Sequence, residues 1–186
     1  QFERDALKII ESKDKIPYST IKGNHVFNFW QDDIHIRGIW RRTSLEEYKK
    51  PKPDWEILLD IDKLAEIENE NWVWKGSHLL PQDYNRCILS LSRGGKDATV
   101  LREYDISQKC FVTNGFQLPE AKSGISWINE NAVFVSTEFG SGSLSDSGYP
   151  TIVKLWKRGE ALSDAQVIMQ IDKKEMGLWP ITQFRP

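Results

Sequence analysis

The sequence predicts an all-β fold of repeated four-stranded antiparallel sheets, and three observations carry it. Apolar runs of four to eight residues recur from Tyr18 onward, too short for helices and bounded by polar or glycine turns. The plan of inner strand, strand, turn, strand, turn and outer strand occurs about three times, with corresponding positions Phe27, Leu89 and Val135 lying 62 and 46 residues apart. Eight tryptophans are spread among these runs, and Trp74 and Trp127 both fall on inner strands. Units of roughly 40–50 residues with variable loops are the signature of propeller blades. The fold class is therefore a partial β-propeller of about three blades behind a short N-terminal helical segment. A β-sandwich is the rival all-β reading.

Taken in order, Phe2–Lys13 places Phe2, Ala6, Ile9 and Ile10 on one side at helical spacing. It reads as a short helix, or as a leader that docks elsewhere. His25–Trp30 is the first clear strand, Gln31-Asp32-Asp33 the turn, and Ile36–Arg42 the return. Pro51 and Pro53 punctuate the next connection, since proline cannot join a ladder interior. Trp55–Ile61 follows as the third strand, and Leu64–Asn71 holds a helical turn.

The second unit runs through Trp72–Gly76, Arg86–Ser92, Ala98–Asp105 and Cys110–Phe116, with Gly94-Gly95 supplying a tight hairpin turn. The third runs through Gly124–Ile128, Ala132–Thr137, Thr151–Lys157 and Gln166–Gln170. Ala132–Thr137 is apolar enough to be buried on both faces. Residues 1–17 are then a leader, 18–71, 72–123 and 124–172 the blades, and 173–186 a tail or the start of another blade.

Bulk properties exclude several classes. Lys and Arg total 25 against 27 Asp and Glu, a net charge of −2, which argues against binding nucleic acid or an anionic membrane. No run of about 18 apolar residues is present, so no transmembrane helix is expected. Cys87 and Cys110 are too few for a disulfide framework or a cysteine zinc site. One bridge between them stays open, but each lies in an apolar strand-like run, and two buried thiols are expected. The chain begins at Gln1 with no apolar leader, so it is expected to start inside a longer product.

The motifs that suggest chemistry fail on spacing. The loop Glu138–Pro150 is rich in glycine and serine, yet no lysine follows a glycine as a phosphate loop requires. None of Ser141, Ser143, Ser145 and Ser147 has glycine two residues away on both sides, as a nucleophile elbow requires. The loop reads as a long hairpin connection. His25, His35 and His78 are placed by no triad motif. Asp32 and Asp33 with His35 offer oxygen and nitrogen ligands, but turn acids are ordinarily just solvated. Arg41, Arg42, Lys49, Lys50 and Lys52 form a basic run diluted by Glu46, Glu47 and Asp54, which fits a solvated edge. No catalytic residue, cofactor site or metal site is assigned.

Several stretches resemble the prolyl oligopeptidase family of serine peptidases, in their N-terminal propeller. They are Asn71–Gly76, Leu80–Arg86, Leu89–Asp97, Arg102–Asp105, Gly115–Ser123, Phe139–Pro150 and Val153–Gly159, in the family's order, over a span from Tyr18 to Gln170. The resemblance implies a seven-bladed propeller that covers an α/β-hydrolase domain, admits peptides and excludes folded proteins. The helical N-terminus, resembled by Ala6–Ser12, would pack near the hydrolase. Seven blades need roughly 300 residues, and no G-x-S-x-G is present. The expectation is a non-catalytic propeller fragment whose partners are the C-terminal hydrolase domain of the same protein and its peptide substrates. Exposed blade edges would favour self-association. The alternative is a self-contained small propeller or sandwich that binds a protein or peptide.

Overall fold

Each apolar run becomes a strand paired with its chain neighbour, because the connections between runs are polar and able to reverse the backbone. The computed structural model describes residues 1–10 and 18–184. They fall into two units, Gln1–Glu66 and Ile67–Pro186.

In the first unit, α1 (Phe2–Ile10) leaves Phe2 and Leu7 exposed. The remainder of the expected Phe2–Lys13 helix lies outside the described residues. One antiparallel sheet follows, ordered β1 (Ser19–Lys22), β2 (His25–Trp30), β3 (Ile39–Ser44) and β4 (Glu56–Asp60). Its core stacks Phe27 on Trp40, with ring centroids 5.7 Å apart. On the opposite face Arg41 lies between the rings of Trp30 and Trp55, at 4.7 and 4.3 Å. This stacking shields the guanidinium while Asn28 Oδ1 accepts from its Nε at 2.8 Å.

The return strand starts at Ile39, three residues later than the sequence suggests. Local hydrogen bonds compete for the backbone of the intervening segment. Asp32 takes the N–H groups of Ile34 and His35, and Asp62 takes those of Arg37 and Gly38. Gly38 adopts φ +99° there. Two short helices complete the elements around this sheet, α2 (Leu45–Tyr48) and α3 (Ile61–Glu68), the latter running across the boundary between the units.

The second unit contains two sheets. One is ordered β5 (Trp72–Leu79), β6 (Arg86–Arg93), β7 (Thr99–Asp105) and β8 (Cys110–Phe111), with β9 (Gln117–Ala121) also pairing β7. The other is ordered β10 (Gly124–Asn129), β11 (Ala132–Ser136), β12 (Ile152–Lys157) and β13 (Gln166–Gln170). The Gly94-Gly95 turn has φ +67° and +85°, the conformation that glycine adopts without strain. Ile88, Leu101, Leu118, Trp127, Val135 and Trp156 form a core common to both sheets. At 20–30 cal/mol per Å² of apolar surface, each large side chain so buried contributes roughly 1.5–3 kcal/mol. Trp127 adds a directional link, donating its indole N–H to the carbonyl of His78 at 2.7 Å.

Three expectations change in detail. The inner strand β5 continues to Leu79, absorbing an irregularity at Lys75. The outer strand expected over Cys110–Phe116 is split. After β8 the Phe116 N–H donates to the Glu103 carboxylate at 2.8 Å rather than to a strand carbonyl, and β9 resumes the pairing. Cys87 is buried as expected, whereas Cys110 is exposed. Cys87 lies opposite Tyr104, which lies opposite Phe111, so Cys110 points to the other face of the sheet. A bridge between the two cysteines is therefore excluded, and both are free thiols.

Three edge strands, β4, β9 and β13, each carry one residue more than their partner. Leu58 is extra in β4, one of Pro119 and Glu120 in β9, and Ile168 in β13. Such bulges strengthen twist. Among the described residues no helix is long and apolar enough to cross a membrane.

Candidate functional site

The Asp32 turn is built by its own backbone. Asp32 Oδ1 accepts from the N–H of Ile34 at 2.9 Å and of His35 at 2.8 Å, and lies 3.0 Å from His35 Nδ1. Its Oδ2 accepts from the Trp30 indole at 3.0 Å. These donors, the His35 N–H foremost, hold the carboxyl far below the ordinary aspartate range. Oxygens so committed are poor metal ligands. Among the described residues no group of three or more His, Cys, Asp or Glu side chains is placed to hold a metal ion.

The basic run is locally neutralised. Arg42 meets Glu56 at 2.7 Å, Lys49 meets Glu46 at 2.7 Å, and Lys50 meets Glu47. A cavity of about 450 Å³ beside it is lined by His25, Arg42, Ser44, Glu47 and Trp55, among others. Burial, followed by the charge of Arg42, lowers the His25 pKa. Ser44 in this cavity is spoken for: its Oγ accepts from Glu47 N at 3.0 Å and caps α2. His78 lies on β5 opposite Ile88, and the covering of its ring by neighbouring atoms lowers its pKa.

The serine-rich loop divides into hydroxyls that build it and hydroxyls that face water. Buried Ser143 donates to the Gly140 carbonyl at 2.6 Å and accepts from Phe139 N at 2.8 Å. Its own carbonyl receives both the N–H and the hydroxyl of Thr151. Buried Ser145 donates to the Met176 carbonyl at 2.9 Å and accepts from Tyr149 N at 3.2 Å. Ser141 and Ser147 are exposed at the tips. The loop is thus a folded platform, consistent with its reading as a connection.

A charged cluster between the two sheets of the second unit is not marked by any sequence motif. Glu103 sits in line with Leu101 and opposite Ile88, and its side chain is fully buried. Arg158, on the turn after β12, grips both its oxygens at 2.9 and 3.0 Å. Arg86 reaches Oε1 at 3.2 Å, and the Arg158 guanidinium lies 4.7 Å from the Phe116 ring centroid. The cluster borders a polar cavity of about 610 Å³ lined by Asn85, Asn114, Glu130 and Asn131, among others. The arrangement joins two sheets.

Comparison with known proteins follows this geometry. Residues 4–181 match the family model described as prolyl oligopeptidase, N-terminal β-propeller domain. The chain is 41% identical over 177 residues to an uncharacterized peptidase of Sinorhizobium fredii, covering 95% of this chain and 24% of that protein. It is 34% identical over 182 residues to an uncharacterized peptidase of Rickettsia prowazekii, covering 94% of this chain and 25% of that protein. Among solved structures, a post-proline cleaving enzyme from Rickettsia typhi superposes with a TM-score of 0.85 at 34% identity, over 95% of this chain and 27% of that one. Oligopeptidase B from Leishmania major shares the fold, with a TM-score of 0.68 at 14% identity, over 91% of this chain and 23% of that one. The chain thus spans about a quarter of the length of the curated relatives it matches.

Proposed function

This chain belongs to the prolyl oligopeptidase family, within its N-terminal β-propeller domain, and on that premise we propose that it gates peptide access in a longer serine peptidase. The catalytic serine, aspartate and histidine would lie in an α/β-hydrolase domain outside this chain, and the blades would admit short peptides while holding back folded proteins. The observation that carries this reading is the likeness to a post-proline cleaving enzyme, which extends over 95% of the chain. The local geometry agrees with it. The buried loop serines Ser143 and Ser145 are engaged in building the loop, and the Glu103 cluster fastens one sheet to the next. The blades would span 18–71, 72–123 and 124–172.

The test is direct. The purified chain is incubated with a chromogenic prolyl peptide and with a serine-directed phosphonate, beside the full-length parent protein. No turnover and no labelling are expected of the chain, and both are expected of the parent. Turnover by the chain alone, or a parent inert toward peptides, overturns the proposal.

A further inference from the structure

Of the asparagines in the sequence, only Asn114 is followed by glycine. Residues 112–115 form a tight turn, closed by Gly115 N donating to the Val112 carbonyl at 3.1 Å. Asn114 takes the third position at φ +56°, as asparagine does in a type II turn. It is exposed, and among the described residues its side-chain amide makes no hydrogen bond. The amides of Asn28, Asn85, Asn129 and Asn131 are all engaged. Gly115 lies outside the left-handed region, so the turn does not need it for its φ. It is needed for space: a Cβ there would lie 2.8 Å from Glu103 Oε2 and 2.9 Å from the Cβ atoms of Glu103 and Val112.

The missing side chain at 115 also leaves the nitrogen of that residue open to attack the unheld side-chain carbonyl of Asn114. The Gly115 nitrogen forms a bond to Asn114 Cγ, and the bond from Cγ to the side-chain nitrogen breaks. That nitrogen leaves as ammonia, taking the proton from the Gly115 N–H, and a succinimide ring remains. Water opens the ring at either carbonyl. One opening leaves aspartate, and the other leaves isoaspartate, in which the main chain runs through the former side chain and is one methylene longer. The next N–H along the chain, that of Phe116, donates to the buried Glu103 carboxylate at 2.8 Å, and Arg158 holds the same carboxylate from the neighbouring sheet. A longer backbone at this point pushes on a contact that has no slack. We propose that Asn114-Gly115 is a site of spontaneous deamidation, and that its isoaspartate product frees the Phe116 N–H from Glu103 and loosens the seam between the two sheets.

The full-length parent protein, aged at pH near 8 and at pH near 6, tests this by peptide mapping with electron-transfer fragmentation, which tells aspartate from isoaspartate. Asn114 is expected to lose its amide about tenfold faster than any other asparagine. The loss is expected to be faster at the higher pH, because the attacking nitrogen must give up its proton. Hydrogen exchange reads the seam. The peptide that contains Phe116 is expected to take up deuterium about tenfold faster in the isoaspartate fraction than in fresh protein. Asn114→Asp carries the new charge on a backbone of ordinary length and is expected to keep the protection. An amide at 114 that stays intact while a free peptide of residues 112–116 is converted overturns the site, and so does prior conversion of another asparagine. Unchanged exchange in the isoaspartate fraction, or an equal loss of protection in Asn114→Asp, overturns the effect on the seam.

Discussion

The guanidinium of Arg158 holds both carboxylate oxygens of Glu103, at 2.9 and 3.0 Å, across 55 residues of sequence. One residue lies on the turn after β12 and the other in the middle of β7, so the pair closes the seam between two sheets. Glu103 also takes Arg86 and the N–H of Phe116. The buried carboxylate therefore organises three separate stretches of backbone. Removing one partner of such a pair strands a charge, which is costlier than the pair is stabilising.

Arg158→Ala is expected to lower the unfolding free energy by about 3 kcal/mol, because Glu103 stays buried with only Arg86 opposite it. Glu103→Gln keeps the shape and loses the charge, and about 1–3 kcal/mol is expected. Urea titration checks both, with a lower midpoint at unchanged slope as the result.

The strands were legible because alternation and turn chemistry are local. His25–Trp30, Arg86–Ser92 and Gln166–Gln170 appear where or almost where the pattern puts them. What was not legible depends on groups distant in sequence. Nothing near Glu103 announces Arg158, and without that cluster the break between β8 and β9 has no visible cause. Cys110 reads as buried from its apolar neighbours, but the sheet turns it outward. The serine loop looked like chemistry by composition, and only its hydrogen bonds separate builders from exposed tips.

Ser143→Ala and Ser145→Ala are each expected to destabilise the chain by about 1 kcal/mol through lost buried hydrogen bonds. Ser141→Ala and Ser147→Ala are expected to leave the thermal midpoint unchanged. Equal effects at all four positions, in parallel melting curves, would remove the distinction between them.

The two thiols should differ in reactivity. Burial, reinforced by Glu103 and Asp105, pushes the Cys87 pKa well up, so its nucleophilic thiolate is suppressed. At pH near 8 a thiol-reactive chromophore is expected to titrate one group quickly and the second only in denaturant. Cys110→Ser is expected to abolish the fast phase.

Asp32 gives a pH signature. Its folded pKa is depressed below the ordinary 3.8, so its stabilising contribution is complete above that value. It is lost as the pH falls through the folded pKa. Asp32→Asn is therefore expected to be less stable than the parent chain at neutral pH, with the gap narrowing only in strong acid. Urea midpoints measured from pH 7 down to pH 2.5 follow it.

Gly38 allows no side chain. At φ +99° a Cβ would meet the Phe29 ring and would come within 2.8 Å of Gln31 Cγ and 2.9 Å of the Trp30 carbonyl. Gly38→Ala is expected to cost roughly 1–3 kcal/mol from backbone strain, with the clash adding to it. The check is a calorimetric midpoint well below that of the parent chain.

The extra residue in β4, β9 and β13 bears on what those edges can copy. A strand with an inserted residue changes phase partway along, so an incoming strand can follow one half of it and must abandon the other. In β13 the change falls at Ile168, and the uncharged run Val167–Met169 is cut in two. Such an edge is a poor template for lateral growth. Growth by strand addition along β13 is therefore expected to stop after a short pairing, and concentrated solutions are expected to lack fibrils built on that edge.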